Sequence, residues 1–490
     1  MPLHVLLLAI PWLNPSTYGP THAVGQGLLS WFAAGLCCLL WQGASARPAA
    51  RVRTVALAWA LAAGLSALMG LLQYLGLAQH LAGLVDPLEP GQAYANLRQR
   101  NQLATLLAIG VCAAVFLQQW VTTHVGVGLA GRAAQAVLLV LVAALAAADA
   151  ASGSRTGMLQ LLLLCGLAVL WRRGRALAAW ALLAYAAAAL LLPLLAGLDP
   201  LHSGILGRVA EGAAPCSSRL TLWSNVLELI AQKPWWGWGW GELGYAHFMH
   251  LYTGPRFCEI LGNAHNLPLH LAVTLGVPMA VLLCAGLCAA VWRARPWRET
   301  DAQRQMAWAV LAVIGLHSLV EYPLWYGPFQ VAAVLCLYLL APMPVRPAPW
   351  RARAARLLPV LVLAACAYAA WDYWRVSQIY LPSAQRAAPY RDDTFAKIQH
   401  SWLFQSQVRF AELGITPLDA SNAAHIHALA QEMLHFSPEA SVAQKWLESA
   451  QLLGYDAEAE AAALRYKAAF PQDYADWKQG LPSGLRDKAP

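Results

Sequence analysis

Gly262-Asn263-Ala264-His265-Asn266 leads into an apolar run that reaches Pro278, with His270 a few positions further on. A histidine at the mouth of such a run can pack, ligate a metal, relay a proton or serve as a base, and the spacing alone leaves all four open. Polar side chains held against a strongly apolar chain are costly and point to function. Arg98, Gln99, Arg100, Asn101 and Gln102 stand in succession at the head of another apolar run. Guanidinium forks and amides beside a helix start suit an anionic phosphate. Arg155, in the tight turn Ser152-Gly153-Ser154-Arg155-Thr156-Gly157, reads as a second phosphate ligand beside that cluster. Arg219 opens an amphipathic stretch, Leu220 to Ile230, with Ser217 or Ser218 as its cap, and Trp235, Trp236, Trp238 and Trp240 follow among glycines. Those tryptophans either form an interfacial belt or grip a sugar or an isoprenoid. His317 and Glu321 are four apart and meet on one helix face; Pro323 ends that helix, and Tyr322, Trp325 and Tyr326 lie in the turn. The His–Glu pair either fixes the bundle or takes part in chemistry. His270 reads as packing.

The elements that must position these residues are membrane helices. Hydrophobic residues make up 59% of the 490 and charged residues 12%, where a soluble domain carries about a quarter charged. The fold class is therefore all-α, a polytopic membrane helix bundle of about eleven spans. They fall near 3–13, 26–42, 54–77, 101–121, 134–150, 156–171, 176–196, 267–292, 306–320, 327–342 and 355–374. Met1 to Ala9 has no basic segment and no small-residue cleavage site after it, so no cleaved signal peptide is expected. Arginine sets the orientation. Arg47, Arg51 and Arg53, Arg132, Arg172, Arg173 and Arg175, Arg293, Arg295, Arg298 and Arg304, and Arg346, Arg351, Arg353 and Arg356 follow the even-numbered spans. The N-terminus is then cytoplasmic, and His265 and its companion clusters face the periplasm of a bacterial inner membrane. The net charge of +8 has the same topogenic origin and implies no nucleic acid.

Four regions follow: N-terminal membrane helices 1–196, a large periplasmic loop 197–266, C-terminal membrane helices 267–375 and a small periplasmic helical domain 376–490. The last holds 13 of the 25 acidic residues and five of the six lysines. Trp446, Leu453-Gly454, Tyr455, Ala468, Phe470 and Pro471 loosely follow a tetratricopeptide helix pair. That domain either docks a partner or caps the membrane core. Of ten cysteines, eight lie in apolar spans and act as small core residues. Cys216 and Cys258 lie in the polar loop, on an oxidising side, and are candidates for one disulfide.

No His-Glu-x-x-His and no Asp-x-Asp stands on the expected outer face, so no metal and no cofactor is expected. Arginines would then stabilise a leaving diphosphate, and a neutral histidine would take the proton of an incoming hydroxyl. A transporter of a lipid-linked or anionic solute is the rival class. Against it, the polar groups gather at one face, and paired broken helices in two halves are absent.

The residues also resemble a known superfamily, the bacterial O-antigen ligases, O-antigen polymerases and O-linked oligosaccharyltransferases. Its ligase pattern is His then Asn, Ser or Gln, nine residues, and Gly-x-x-small/Tyr. Here His265-Asn266 is followed by nine residues and Gly276-Val277-Pro278-Met279, which departs at Met279. The Ser-Arg-Thr-Gly turn, Arg219-x-x-x-Trp223, the tryptophan–glycine turn and His317 to Tyr326 are also similar. "RQRNQLATLL", "HSLVEYPLWY", the Pro-bearing segment "PWLNPSTYGPTHAVGQG" and the tail look like the branch that glycosylates pilins and other proteins; Gly25-Gln26-Gly27 stands where that branch often has an acidic residue. The resemblance implies en bloc transfer of a glycan from undecaprenyl diphosphate to Ser or Thr of a periplasmic, pilin-like protein. It implies His265 as base, Arg155 and Arg219 on the diphosphate, and Gln99 and Tyr322 as further site residues. Asn266 and Tyr326 join the candidates by position. An O-antigen ligase, with a lipid A–core acceptor, is the nearest alternative, and a polymerase comes third.

Overall fold

The computed structural model describes residues 2–14, 20–43, 48–81, 83–205, 207, 215–341 and 349–480. Residues 15–19 of the Pro-bearing segment, Arg47 and Arg346 lie outside them. Among the described residues every regular element is helical. The longer helices are α1 (Pro2–Leu13), α2 (His22–Gly43), α3 (Pro48–Tyr74), α4 (Arg100–His124), α5 (Leu129–Ser152), α6 (Arg155–Leu170), α7 (Arg175–Leu195), α8 (Arg219–Gln232), α9 (Leu243–Met249), α10 (Leu267–Leu275), α11 (Val277–Ala294), α12 (Ala302–Ser318), α13 (Gly327–Leu340) and α14 (Pro349–Ser377). The tail adds α15 (Thr394–Ile398), α16 (Gln405–Ile415), α17 (Ala423–Phe436), α18 (Ala440–Leu452), α19 (Asp456–Ala469) and α20 (Pro471–Gly480). Helices α2, α3, α4, α5, α7, α11 and α14 are long and apolar enough to cross a membrane, while α1, α6 and α13 are apolar but shorter. The protein is a polytopic helical membrane protein.

The chain divides into two compact units. The first is Met1–Gly212 with Ala290–Ala370, and the second is Ala213–Ala289 with Trp371–Pro490. In the first, α4 is the central post, packing on α3, α5, α6 and α12. Small residues let it do so, since lipid offers no hydrophobic drive and helices associate by close packing. A Cβ on Gly110 would lie 2.4 Å from the Cβ of Ala63 on α3. Ala56, Ala62, Ala63 and Ala67 of α3 are fully buried.

In the second unit, Leu222, Val226, Leu229 and Ile230 of α8 pack with Leu243, Phe257, Leu261, Ala264 and Val273. The tail helices form their own core, into which Phe248 of α9 inserts beside Trp446, Leu447 and Tyr466. Loop and tail residues therefore share one hydrophobic cluster.

Two expected helices differ. The run read as one span over 267–292 is two helices, because Gly276 breaks it at φ +86°, ψ 157°, a conformation open essentially to glycine alone. Pro278 then falls in the first turn of α11, where its missing N–H costs nothing. Of α11, Ala280 is buried and the remainder is largely exposed. The helix expected over 306–320 ends at Ser318, so Glu321 lies beyond it, although its N–H still bonds the His317 carbonyl at 2.8 Å.

Candidate active site

Three segments of the first unit converge on one polar network. Gln99 is the N-cap of α4 by backbone, but its side chain caps nothing and instead donates to Glu321 Oε2 at 3.4 Å. Asn101 Nδ2 donates to Glu321 Oε1 at 3.2 Å. Glu321 is 5% exposed, so these amides answer part of the cost of burying a carboxylate. On its other side Asn101 Oδ1 accepts from Ser154 Oγ at 2.7 Å. Ser154 is the N-cap of α6 and accepts from Gly157 N–H at 3.0 Å. Arg155, exposed, is the first residue of that helix. Gly153 makes the connection possible by closing α5 in the left-handed region at φ +60°.

Deeper in the unit, Thr105 Oγ1 meets His317 Nδ1 at 2.8 Å and receives Gln160 Nε2 at 2.8 Å. The same hydroxyl bonds the Asn101 carbonyl at 2.8 Å. It has a single hydrogen. If that hydrogen goes to the carbonyl, His317 must carry its proton on Nδ1. His317 is fully buried and edge-on to Phe329, inside the bundle rather than at a surface. Tyr322 and Tyr326 stack at 5.8 Å between centroids.

Two cluster arginines are engaged within the chain. Arg98 grips Asp86 with two bonds, 2.6 Å and 3.2 Å. Arg100 donates twice to Tyr94 Oη, at 3.1 Å and 2.8 Å. Sequence reasoning missed the residue that holds this loop. Gln73, fully buried on α3, accepts from Tyr94 and Ala95 N–H and donates to the carbonyls of Asp86 and Ala95. An amide in an otherwise apolar run was the available signal.

The second unit builds its polar residues on two helix starts. Ser218 caps α8, accepting from Thr221 N–H at 3.1 Å, and Arg219 is the first helical residue. Ser154-Arg155 and Ser218-Arg219 are thus the same local device: a serine cap followed by an arginine at a helix N-terminus, where backbone N–H groups and the helix dipole favour an anion. Cys216 and Cys258 form a disulfide just ahead of α8, with Cα atoms 5.3 Å apart. Asn225, also unforeseen and 1% exposed, takes the N–H of Phe257 at 2.8 Å and donates to the Pro255 carbonyl at 3.0 Å.

His265 has φ +50°, the left-handed region that non-glycine residues enter at a cost. The neighbours fix it there. Its N–H goes to Asn263 Oδ1 at 2.9 Å. Trp223 Nε1 donates to the adjoining Ala264 carbonyl at 3.1 Å. Asn266 turns extended and caps α10, accepting from Leu269 N–H at 3.0 Å. Arg219 and Trp223 are four apart, so they share a face of α8, the face from which Trp223 reaches the Ala264 carbonyl. His270 is 4% exposed, lies against Trp240 and faces the Ala264 N–H at 3.5 Å.

The tryptophan–glycine turn holds the far end of α10. Trp238 and Gly239 N–H bond the carbonyls of Val273 and Thr274 at 2.8 and 3.0 Å, and Val277 N–H bonds Pro234 at 2.8 Å. A Cβ on Gly276 would stand 2.1 Å from the Trp235 carbonyl oxygen. The glycines are there for backbone-to-backbone contact, while Trp235 and Trp236 remain exposed at 71% and 88%.

Three stretches of the chain match known families. Residues 138–284, which include both Ser-Arg starts and the His265 helix, match the family described as O-Antigen ligase. That stretch of the chain is similar to the O-antigen ligases. Residues 93–117, which include the start of α4, match Protein glycosylation ligase. Residues 305–482 match Virulence factor membrane-bound polymerase, C-terminal. A General O-oligosaccharyltransferase of Acinetobacter baylyi is 27% identical over 280 residues, 54% of this chain and 46% of the relative. A ComP-specific O-oligosaccharyltransferase of the same organism is 26% identical over 124 residues, 25% of this chain and 22% of the relative. The chain thus spans less than half the length of the curated relatives it matches.

Proposed function

We propose that the protein is an O-oligosaccharyltransferase of a bacterial inner membrane, with its N-terminus cytoplasmic and its polar clusters periplasmic. The donor is a glycan on undecaprenyl diphosphate, and the acceptor is a Ser or Thr hydroxyl of a periplasmic, pilin-like protein. The acceptor oxygen attacks the anomeric carbon, and the bond from that carbon to the diphosphate oxygen breaks. His265 takes the hydroxyl proton, and undecaprenyl diphosphate leaves. Arg155 and Arg219 stabilise the charge that develops on it, each aided by the helix start it occupies. Gln99, Tyr322 and Tyr326 contribute to the donor side, with Arg98 and Arg100 bounding it. Charge stabilisation by arginine lets the reaction proceed without a metal.

The observation that carries the reading is the strained, triply braced His265, in a stretch that matches the ligase family. The two relatives named as O-oligosaccharyltransferases favour a protein acceptor over lipid A–core. The test uses purified protein, lipid-linked glycan and acceptor protein with EDTA. Glycosylated acceptor should form despite the chelator, and His265→Ala should lower its rate by about 10²- to 10⁴-fold. Full activity of His265→Ala, or transfer only after metal addition, would overturn the mechanism. Transfer to lipid A–core but not to protein would replace the acceptor.

A further inference from the structure

Glu321, Asn101 and Ser154 are separated by 220 and then 53 positions in the chain, yet they form one chain of hydrogen bonds that ends on the first turn of α6. We infer that Glu321 is a positioning residue for Arg155, acting through Asn101 and Ser154 to orient the α6 N-terminus toward the donor diphosphate. The inference rests on the donor role proposed for Arg155.

Hydrogen-bond polarity carries the argument. The Glu321 carboxylate is an acceptor, and Gln99 Nε2 and Asn101 Nδ2 both point at it. This fixes the Asn101 amide with Nδ2 toward Glu321 and Oδ1 toward Ser154. Ser154 owns one hydrogen, and donating it to Asn101 Oδ1 at 2.7 Å leaves its lone pairs for the Gly157 N–H. The cap is thereby set in one orientation. Ser154 is fully buried and also receives support through its own N–H, which bonds Ser152 Oγ at 3.1 Å. A second connection runs from α12 to α6 alongside it: Gln160 donates to Thr105 Oγ1 and to the Val313 carbonyl at 3.1 Å. The N-terminal turn carrying Arg155 is therefore clamped from the α12 side by two polar routes, and the upper one is polarised by a carboxylate.

Glutamine at position 321 keeps the shape and breaks the logic. Its amide has one oxygen for two incoming donors, so one –NH₂ would face another –NH₂. Asn101 must then turn or move, and the Ser154 hydroxyl loses its fixed partner. The effect should reach the donor through Arg155 and leave acceptor chemistry at His265 alone.

The test measures binding of undecaprenyl diphosphate, without glycan, to the full-length protein in nanodiscs, together with transfer kinetics. Variants are Arg155→Ala, Glu321→Gln, Ser154→Ala and the Glu321→Gln/Ser154→Ala double. Ser154→Gly is added because glycine is tolerated at an N-cap, and thermal unfolding of each variant reports the fold. Glu321→Gln and Ser154→Ala should each weaken Kd by about tenfold, and the double should be no weaker than either single. Donor KM should rise and kcat should fall with it, because Arg155 also stabilises the charge that develops on the leaving diphosphate. Independent, multiplying losses, or a fall in kcat at unchanged Kd, would overturn the relay. Loss of binding in Arg155→Ala with none in Glu321→Gln or Ser154→Gly would overturn the relay but leave the donor reading intact. No effect of Arg155→Ala would overturn both.

Discussion

Alanine at position 276 puts the device behind the His265 helix under direct test. The backbone there, at φ +86° and ψ 157°, costs a non-glycine residue about 1–3 kcal/mol. The added methyl would stand 2.1 Å from the Trp235 oxygen, 2.5 Å from its carbonyl carbon and 2.8 Å from Trp236 N. All three are main-chain atoms, so no side-chain rotation relieves the contact. The turn must withdraw, and withdrawal gives up the bonds from Trp238, Gly239 and Val277 N–H, each worth about 0.5–1.5 kcal/mol. The total is about 3–7 kcal/mol, comparable with the whole stability of many domains. Hydrogen exchange read by mass spectrometry on peptides covering 233–241 and 267–280 gives the answer. Protection there should fall by at least about 10²-fold, while peptides of α3 and α4 stay as in wild type and glycan transfer drops. Unchanged protection in the two peptides would refute the argument that this glycine is required by backbone contact.

Two further outcomes concern the second unit. Cys216→Ser with Cys258→Ser opens a loop of sequence separation 42, which loop entropy values at about 4 kcal/mol. Thermal unfolding should shift downward and lose its dependence on reductant, and an unchanged transition would show that the bond does not constrain the loop. Burial, and then the charge of Arg256, lowers His247 to about 3, against about 6.5 in an unfolded chain. Below pH 6.5 the unfolded chain binds a proton that the folded one refuses, so stability should fall by about 1.4 kcal/mol per pH unit down to about pH 3. His247→Gln should flatten that slope in denaturant titrations at pH 7 and pH 5, and an identical slope would refute the assignment.

Single-residue chemistry was legible in the sequence wherever it was local. Asn266 ahead of an apolar run is a helix cap, and it caps α10. Ser before Arg155 and Ser before Arg219 announce helix starts for the same reason. The break at Gly276 was also written there, as glycine one residue before a Val-Pro pair, but the continuous hydropathy of 267–292 hid it. Hydropathy measures cost in lipid and is blind to a break of a single residue. Pairings over long separation had no local signal. Nothing near Arg98 indicates that Asp86 takes its fork, and nothing near Asn101 indicates Ser154 and Glu321. The buried amides Gln73 and Asn225 are intermediate. An amide on an apolar face must be bonded to something, so the sequence shows that partners exist. Those partners are backbone groups that any sequence could supply, so it does not show which ones.

The polar residues of this protein are spent largely on orientation. His265 sits in a backbone region that costs it about 1–3 kcal/mol, and the Asn263, Trp223 and Asn266 bonds around it are side-chain to main-chain contacts that hold the residue without using its ring. The same division holds at α6, where Ser154 and Asn101 fix the helix start and the guanidinium of Arg155 is left exposed on it. Under the proposed reaction such pre-set groups matter most, because a group already aimed at the developing charge needs no reorganisation when the bond breaks. It follows that the damaging substitutions extend beyond the residues that touch substrate. Asn101, Trp223, Asn263 and Gly276 touch other protein groups, yet each controls where an ionisable side chain stands.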